Sequence, residues 1–144
     1  MKILSMPAGA GKATKVYDNG TWSVAYLNPG TYAYSNAGSP WTLEADKISS
    51  SSGVGSIIGT ATPIDCTDFT VLHIKAKHVS GGTGTTAFIS SQANYTPGVI
   101  RTSSITTVGM TVDYTINVAD LTSVYLGIIS VSGNIDEVYE IYFE

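Results

Sequence analysis

The feature that most constrains the fold of this chain is the alternation of apolar and polar residues over several short stretches. Between Met110 and Val118 every second residue is apolar, and the residues between them are Thr, Asp, Thr and Asn. Between Thr70 and Val79, Leu, Ile and Ala alternate with His and two Lys. Because successive side chains of a β-strand point to opposite faces, each stretch predicts a strand with one buried face and one solvated face. The polar face of the second strand is basic.

Further stretches extend this pattern along the chain. Val124 to Val131 is apolar on both faces, which predicts a central strand covered on both sides. At the carboxyl end, Tyr139, Ile141 and Phe143 alternate with Glu140, Tyr142 and Glu144, which predicts a closing strand. Shorter candidate strands are Lys15 to Tyr17, Trp22 to Leu27, Thr42 to Ser50, Ser56 to Thr62, Thr86 to Ser91 and Val99 to Ser103.

Composition and turn sequences favour the all-β class. Ile, Val and Thr number 44 of the 144 residues, whereas Leu, Met, Glu, Lys, Arg and Gln number 21, so strand formers outweigh helix formers. Turn sequences such as Asp18-Asn19-Gly20 separate roughly eight to ten short strands, which fits an antiparallel β-sandwich or barrel. We expect one domain over residues 15–144. Residues 1–14 lack alternation and predict a short irregular arm, a candidate docking segment. Ala119 to Ser123, with Asp120 as a cap, is the best candidate for a helical turn.

The charge pattern and the length of the apolar runs argue against two classes of partner, nucleic acids and membranes. Seven basic residues are scattered among eleven acidic ones, for a net charge of -4, so the chain has no cluster that could follow a nucleic-acid backbone. No run approaches the ~18 apolar residues that a membrane span needs. We therefore expect neither nucleic-acid binding nor membrane insertion. Pro7 interrupts the apolar start of the chain early, so we also expect no signal peptide.

The sequence gives no support for catalysis. Gly9 to Thr14 is similar to a phosphate loop, but Met6 occupies the position of the required first glycine. The chain has no Gly-x-Ser-x-Gly motif around a nucleophilic serine, and its single cysteine, Cys66, has no motif around it. The eleven acidic residues do not single out a pair that faces a cleft. We expect no cofactor and no enzymatic activity.

Metal binding has only one weak candidate. His73 and His78 are five residues apart in a strand and so lie on opposite faces, where they cannot share a metal; we expect each to be an ordinary surface or edge histidine. Asp65 and Asp68 could supply two carboxylates to a calcium ion in the loop before the Thr70 strand. The simpler alternative is a turn in which Asp accepts local hydrogen bonds.

Aromatic residues are the one feature of the sequence that points to a function. Several of them fall between Trp22 and Trp41, among Asn, Gly, Pro and Ser. Sugar rings have apolar faces that stack on exposed aromatic rings, while their hydroxyls bond to polar side chains. Candidate glycan-binding residues are Trp22, Tyr32, Tyr34, Trp41 and Tyr95. The alternative is that these rings fill the core or a subunit contact.

The order of motifs resembles a known group of domains. Ile64 to Phe69 starts a long strand, Tyr114 to Val118 and Tyr125 to Ile128 form a pair, and Ile141 to Glu144 ends the chain. This succession resembles jelly-roll domains of minor structural and tail-associated proteins of bacteriophages and prophages of Gram-positive hosts. It is also similar to carbohydrate-binding modules. The resemblance implies a jelly-roll-like antiparallel β-sandwich without catalytic residues.

Three functions follow as hypotheses. The first is a non-enzymatic virion protein at the tail, baseplate, fibre or capsid surface, made in the host cytoplasm. Its partners would be other virion proteins, further copies of itself, with a trimer as one candidate, and a glycan of the host surface. The second hypothesis is a stand-alone carbohydrate-binding module. A small hydrolase is a third, and would require two carboxylates facing each other across a deep cleft.

Overall fold

Strands account for all the regular structure that a computed structural model of the chain describes, which covers residues 14–29, 40–50, 56–81, 85–93, 98–130 and 134–144. These residues form thirteen strands and no helix, so none of them belongs to a helix that could cross a membrane. The strands are β1 (Thr14–Asp18), β2 (Thr21–Trp22), β3 (Tyr26–Leu27), β4 (Thr42–Leu43), β5 (Ile48–Ser49), β6 (Ser56–Thr60), β7 (Ile64–Asp65), β8 (Val71–Ser80), β9 (Thr85–Ser90), β10 (Val99–Ile105), β11 (Thr111–Asn117), β12 (Ser123–Ser130) and β13 (Ile135–Phe143).

The strands form two antiparallel sheets. Sheet A has the order β11-β8-β13-β1-β2, with β5 also pairing with β13 and β4 pairing with β5. Sheet B has the order β10-β9-β12-β6-β3, with β7 pairing with the start of β12. The prediction of an all-β antiparallel sandwich is confirmed. Apart from Thr14, the predicted arm of residues 1–14 lies outside the described residues.

The main core lies between the two sheets. On β8 of sheet A, Leu72, Ile74 and Ala76 are buried, and the residues between them are only half-buried. Ile89 and Ile128 project into the same core from sheet B. Strict alternation therefore places one face of each sheet in the apolar interior, where each large aliphatic side chain stabilises the fold by about 1.5–3 kcal/mol.

Strand β12 is central in sheet B and is buried on both faces, as its continuous apolar sequence predicts. Its inner residues join the main core, whereas Ile129 on the opposite face packs with Ile57 and Phe88 in a second cluster. Gly127 lies beneath this cluster, and a Cβ atom there would be 2.6 Å from the ring of Phe88. The absence of a side chain at residue 127 therefore lets the Phe88 ring lie close to the sheet.

The β1–β2 turn forms as predicted. Asp18 and Thr21 are paired, so Asn19 and Gly20 form a two-residue loop with φ angles of 47° and 83°. Both angles are positive, which is the requirement of a tight hairpin turn and explains the Asn-Gly sequence.

Two predicted strands are each divided in the structure. The stretch Trp22 to Leu27 contributes β2 to sheet A and β3 to sheet B, because the residues between them carry the chain from one sheet to the other. The stretch Thr42 to Ser50 is a hairpin of β4 and β5, closed by a hydrogen bond of 2.8 Å from the Glu44 amide to the Lys47 carbonyl. The prediction of a single strand is wrong for both stretches, because the turn residues within each stretch were not recognised.

Two further expectations differ from the structure. Met110 is 61% exposed and precedes β11, so it does not share the buried face of that strand. The segment Ala119 to Ser123 forms a turn without a helix. Asp120 there binds the Arg101 guanidinium through two contacts of 2.8 Å, which fastens the turn to β10.

A buried polar network lies where β8, β9, β12 and β13 approach one another. Asp136 is fully buried and accepts hydrogen bonds from Thr85 and from Ser130 (2.6 Å). Its other oxygen lies 2.7 Å from Nδ1 of His78, which is 2% exposed. His78 is therefore a core residue, and the expectation of a surface or edge histidine is wrong. The network satisfies a carboxylate that would otherwise be very costly to bury.

We predict that Asp136→Asn lowers the free energy of unfolding by about 3 kcal/mol, because an amide has one acceptor oxygen where the carboxylate has two, so a buried hydrogen bond with Thr85, Ser130 or His78 is lost. Urea denaturation measures this change. Asp18→Asn is the matched control, since Asp18 pairs with Lys15 in solvent and the same substitution should cost at most about 1 kcal/mol. Equal losses in the two variants would contradict a stabilising role for the network.

Candidate functional site

Trp22 lies at the side of the sandwich, where the chain passes between the sheets. Its ring stacks on Tyr26 with centroids 5.1 Å apart and planes at 13°, and it also contacts Tyr17 at 5.2 Å. The indole is half-buried, packs against the main core, and has a buried Nε1 for which the described part of the chain supplies no hydrogen-bond partner. Trp22 thus closes the edge of the core, which is the alternative that the sequence left open. Tyr26, 40% exposed, is the more accessible ring of the pair.

Trp41 occupies the core itself. The residue is 2% exposed, and the side chain of Asn28 bonds to both its amide and its carbonyl at 2.7 Å. A buried indole offers no face to a sugar, so the candidate role of Trp41 as a glycan-stacking residue is corrected to a packing role. The other three aromatic candidates, Tyr32, Tyr34 and Tyr95, lie outside the described residues.

The candidate calcium carboxylates are part of a turn. Oδ1 of Asp65 accepts hydrogen bonds from the Thr67 amide (2.9 Å) and from the Thr67 hydroxyl (2.6 Å). This is the local arrangement that the sequence offered as the alternative. Asp68 lies in the same loop, and within the described ranges no three metal-ligating side chains of His, Cys, Asp or Glu come together.

The outer face of sheet A carries an ordered set of polar side chains, which we call the platform. Its members project away from the core and are aligned in rows across neighbouring strands. The rows are Thr115, His73, Tyr142 and Lys15; Asp113, Lys75, Glu140 and Asp18; and Thr111, Lys77, Glu137 and Ser49. Antiparallel register therefore brings together side chains that are up to 127 residues apart in the chain, as for Lys15 and Tyr142.

Ion pairs hold the platform in order. Glu140 lies between two lysines, with Oε1 3.1 Å from Lys75 Nζ and Oε2 bonded to Lys15 Nζ. Lys47, beside the third row, lies 3.6 Å from Glu137. Burial and a hydrogen bond to Glu137 raise the pKa of Tyr139 to about 12, so this phenol remains a donor to the carboxylate. Charges of both signs alternate over the face.

Tyr142 and His73 are the rings of the platform. They stack with centroids 4.5 Å apart and planes at 4°. The ammonium groups of Lys15 and Lys75 lie 5.8 and 5.9 Å from the Tyr142 centroid, within the range of a cation–π contact. Burial, followed by the charges of Asp113 and Glu144, raises the pKa of Tyr142. Its hydroxyl therefore remains protonated and able to donate.

Two donors of the platform have no partner among the residues that the structure describes. They are the hydroxyl of Tyr142 and the ammonium of Lys77, which lie in the first and the third row. Around them stand carboxylates, hydroxyls and lysines whose bonds to one another leave further lone pairs and protons available. Such a surface can bind a ligand that both donates and accepts hydrogen bonds at several points.

The platform residues were not singled out from the sequence, although two signals pointed to them. The polar side of β8 reads as basic, and Glu140 and Tyr142 alternate with buried residues at the end of the chain. What the sequence lacks is the pairing of β8 with β13, which sets His73 against Tyr142 and Lys75 against Glu140.

Comparisons with known proteins identify the fold. No protein-family model matches the chain, and no curated protein sequence matches it. Among solved structures, a mutant of a family 29 carbohydrate-binding module matches with a TM-score of 0.60 and 11% identity, covering 92% of this chain and 91% of that chain. A mutant complexed with mannohexaose matches with a TM-score of 0.59 and 11% identity, covering 92% of this chain and 90% of that chain. A mutant complexed with cellulohexaose matches with a TM-score of 0.58 and 13% identity, covering 92% of this chain and 89% of that chain.

At this level of identity the likeness shows a shared β-sandwich fold. In fold alone, it agrees with the part of the sequence resemblance that pointed to carbohydrate-binding modules. It gives no support to the resemblance to phage structural proteins, and the virion location and homo-oligomer stay predictions.

Cys66 provides a test of the chemistry at the core. The side chain is fully buried, and burial, followed by the charge of Asp65, raises the pKa of the Cys66 thiol to about 11. We predict that this thiol does not react with a colorimetric thiol reagent near neutral pH in the folded protein, because the thiolate is the reactive form. One thiol per chain should react once urea unfolds the protein. Rapid reaction of the folded protein would contradict the buried position.

Proposed function

We propose that the protein is a non-catalytic module that binds a carbohydrate chain on the platform of sheet A. The observation that carries the proposal is the alignment of donors and acceptors in rows across β11, β8, β13 and β1, in a fold shared with carbohydrate-binding modules. A sugar presents neighbouring hydroxyls that donate and accept at once. Paired lysines and carboxylates can meet both requirements.

The dimensions of the sheet support an extended ligand. Neighbouring strands are about 4.8 Å apart, so the four strands that carry the platform span on the order of 15 Å. That distance matches several linked sugar rings. The unpaired hydroxyl of Tyr142 and the ammonium of Lys77 supply donors at two separate places along this surface.

The charge balance of the platform favours a ligand without strong net charge. Lys75 and Lys77 have carboxylates in their own rows, and Lys15 is bonded to Glu140 of the neighbouring row. An ionic ligand would meet repulsion as well as attraction, whereas a polyhydroxylated ligand gains hydrogen bonds from both signs of charge. A role on a virion is compatible with this chemistry and stays a prediction from the sequence resemblance.

We predict that Tyr142→Ala and Lys77→Ala each weaken binding of mannohexaose or cellohexaose about tenfold, as truncation of a central contact residue commonly does. Isothermal titration calorimetry of the purified protein measures the Kd. Each variant removes one of the two free donors, so the double variant should bind more weakly than either.

Tyr125→Ala is the matched control. Tyr125 is also a half-buried tyrosine, but it alternates with buried residues of β12 and so lies on the outer face of sheet B. Its removal should leave the Kd unchanged. The proposal would be refuted if the platform variants bound as the unmodified protein does, or if the control alone lost binding while remaining folded.

A further inference from the structure

His73 is held by three other side chains. Its Nδ1 lies 2.9 Å from Oδ2 of Asp113 on β11, and its Nε2 lies 2.8 Å from Oε1 of Glu144 after β13. Its ring stacks on Tyr142 with planes at 4°. The His73 side chain is only 13% exposed, so these contacts fix the ring in one orientation.

Both ring nitrogens of His73 face groups of one kind. Ionised carboxylates accept hydrogen bonds and donate none. A neutral imidazole has one N–H and can serve only one of them, whereas the protonated ring has two. The arrangement is therefore complete only when both nitrogens carry a proton. A positively charged ring also gains from the electron-rich face of Tyr142.

The lysines nearby do not take the place of His73 as the partner of Asp113 and Glu144. Lys75, on the same strand, and Lys15, on β1, lie over the ring of Tyr142, and both are bound to Glu140. They compensate Glu140 and leave Asp113 and Glu144 to His73. Glu144 has a side chain that is 60% exposed, so its position depends on the bond to the ring.

We propose that His73 is a positioning residue of the platform. Carbohydrate binding then weakens as the pH rises and the His73 ring loses one of its two N–H protons. This inference rests on the proposed function. Deprotonation leaves one carboxylate without its donor and loosens the stack that holds Tyr142. A ligand then has to order these side chains on binding, which lowers its affinity.

The experiment compares the unmodified protein with His73→Gln, whose side chain is polar but does not take up a proton. Calorimetry with mannohexaose at about pH 5.5 and about pH 8 brackets the range in which histidine commonly titrates. The Kd of the unmodified protein should rise by a factor of about three to five over this interval. The variant should bind more weakly at the lower pH and show no such rise. His78 is retained in both proteins, so it does not account for the difference.

Nuclear magnetic resonance of the ligand-free protein gives a second measurement. The ring signals of Tyr142 should change over the same pH interval in which the ¹⁵N signals of His73 report loss of a proton. Tyr142 signals that do not follow His73 would overturn the positioning role, whether or not a sugar binds.

The possible results separate the two proposals. Binding that is equal at both pH values, or a pH dependence that His73→Gln retains, would overturn the inference and leave the proposed function standing. No binding of any oligosaccharide by the unmodified protein would count against the proposed function, and the resonance experiment would then decide the role of His73 alone.

Discussion

The pairing of β8 with β13 is the interaction on which the rest of the structure depends. Eight residue pairs join the two strands, and the register shifts at two places, between Ile135 and Asp136 and between Val138 and Glu140. Successive pairs point to opposite faces of the sheet: Leu72 and Phe143 belong to the core, whereas His73 and Tyr142 belong to the platform. A slip of one residue would exchange these faces, so burial of the core fixes the polar surface as well.

This coupling explains how a chain with few charges maintains an ordered polar face. Charged residues make up 12% of the sequence, yet several of them meet on the outer face of sheet A, because β8 carries two lysines there, β13 carries two glutamates and β11 adds Asp113. The central strand β12 of sheet B differs in this respect, since both of its faces are apolar. The two sheets therefore have different tasks: sheet B supplies buried area, and sheet A combines a buried face with a surface suited to a polar ligand.

The sequence predicted the parts of the fold that depend on local pattern. Alternation located β8 and β11 to within a residue or two at each end, and Asn19-Gly20 specified the first turn. It did not predict features that arise from contacts distant in sequence. Trp41 reads as an aromatic among turn residues, but it is buried because the sandwich folds around it; His78 reads as a surface histidine, but Asp136 reaches it from β13. The platform was missed for the same reason, since periodicity gives the face of a residue and not its neighbour on the next strand.

The most direct test of a carbohydrate site on sheet A is to map the binding surface by amide chemical shifts. Mannohexaose is added to the ¹⁵N-labelled protein, and the shift of each backbone signal is followed. The account predicts that the largest changes fall on β8, β11 and β13 and that the amides of β9 and β12 move little. Changes concentrated on sheet B, or no changes at saturating sugar, would contradict it.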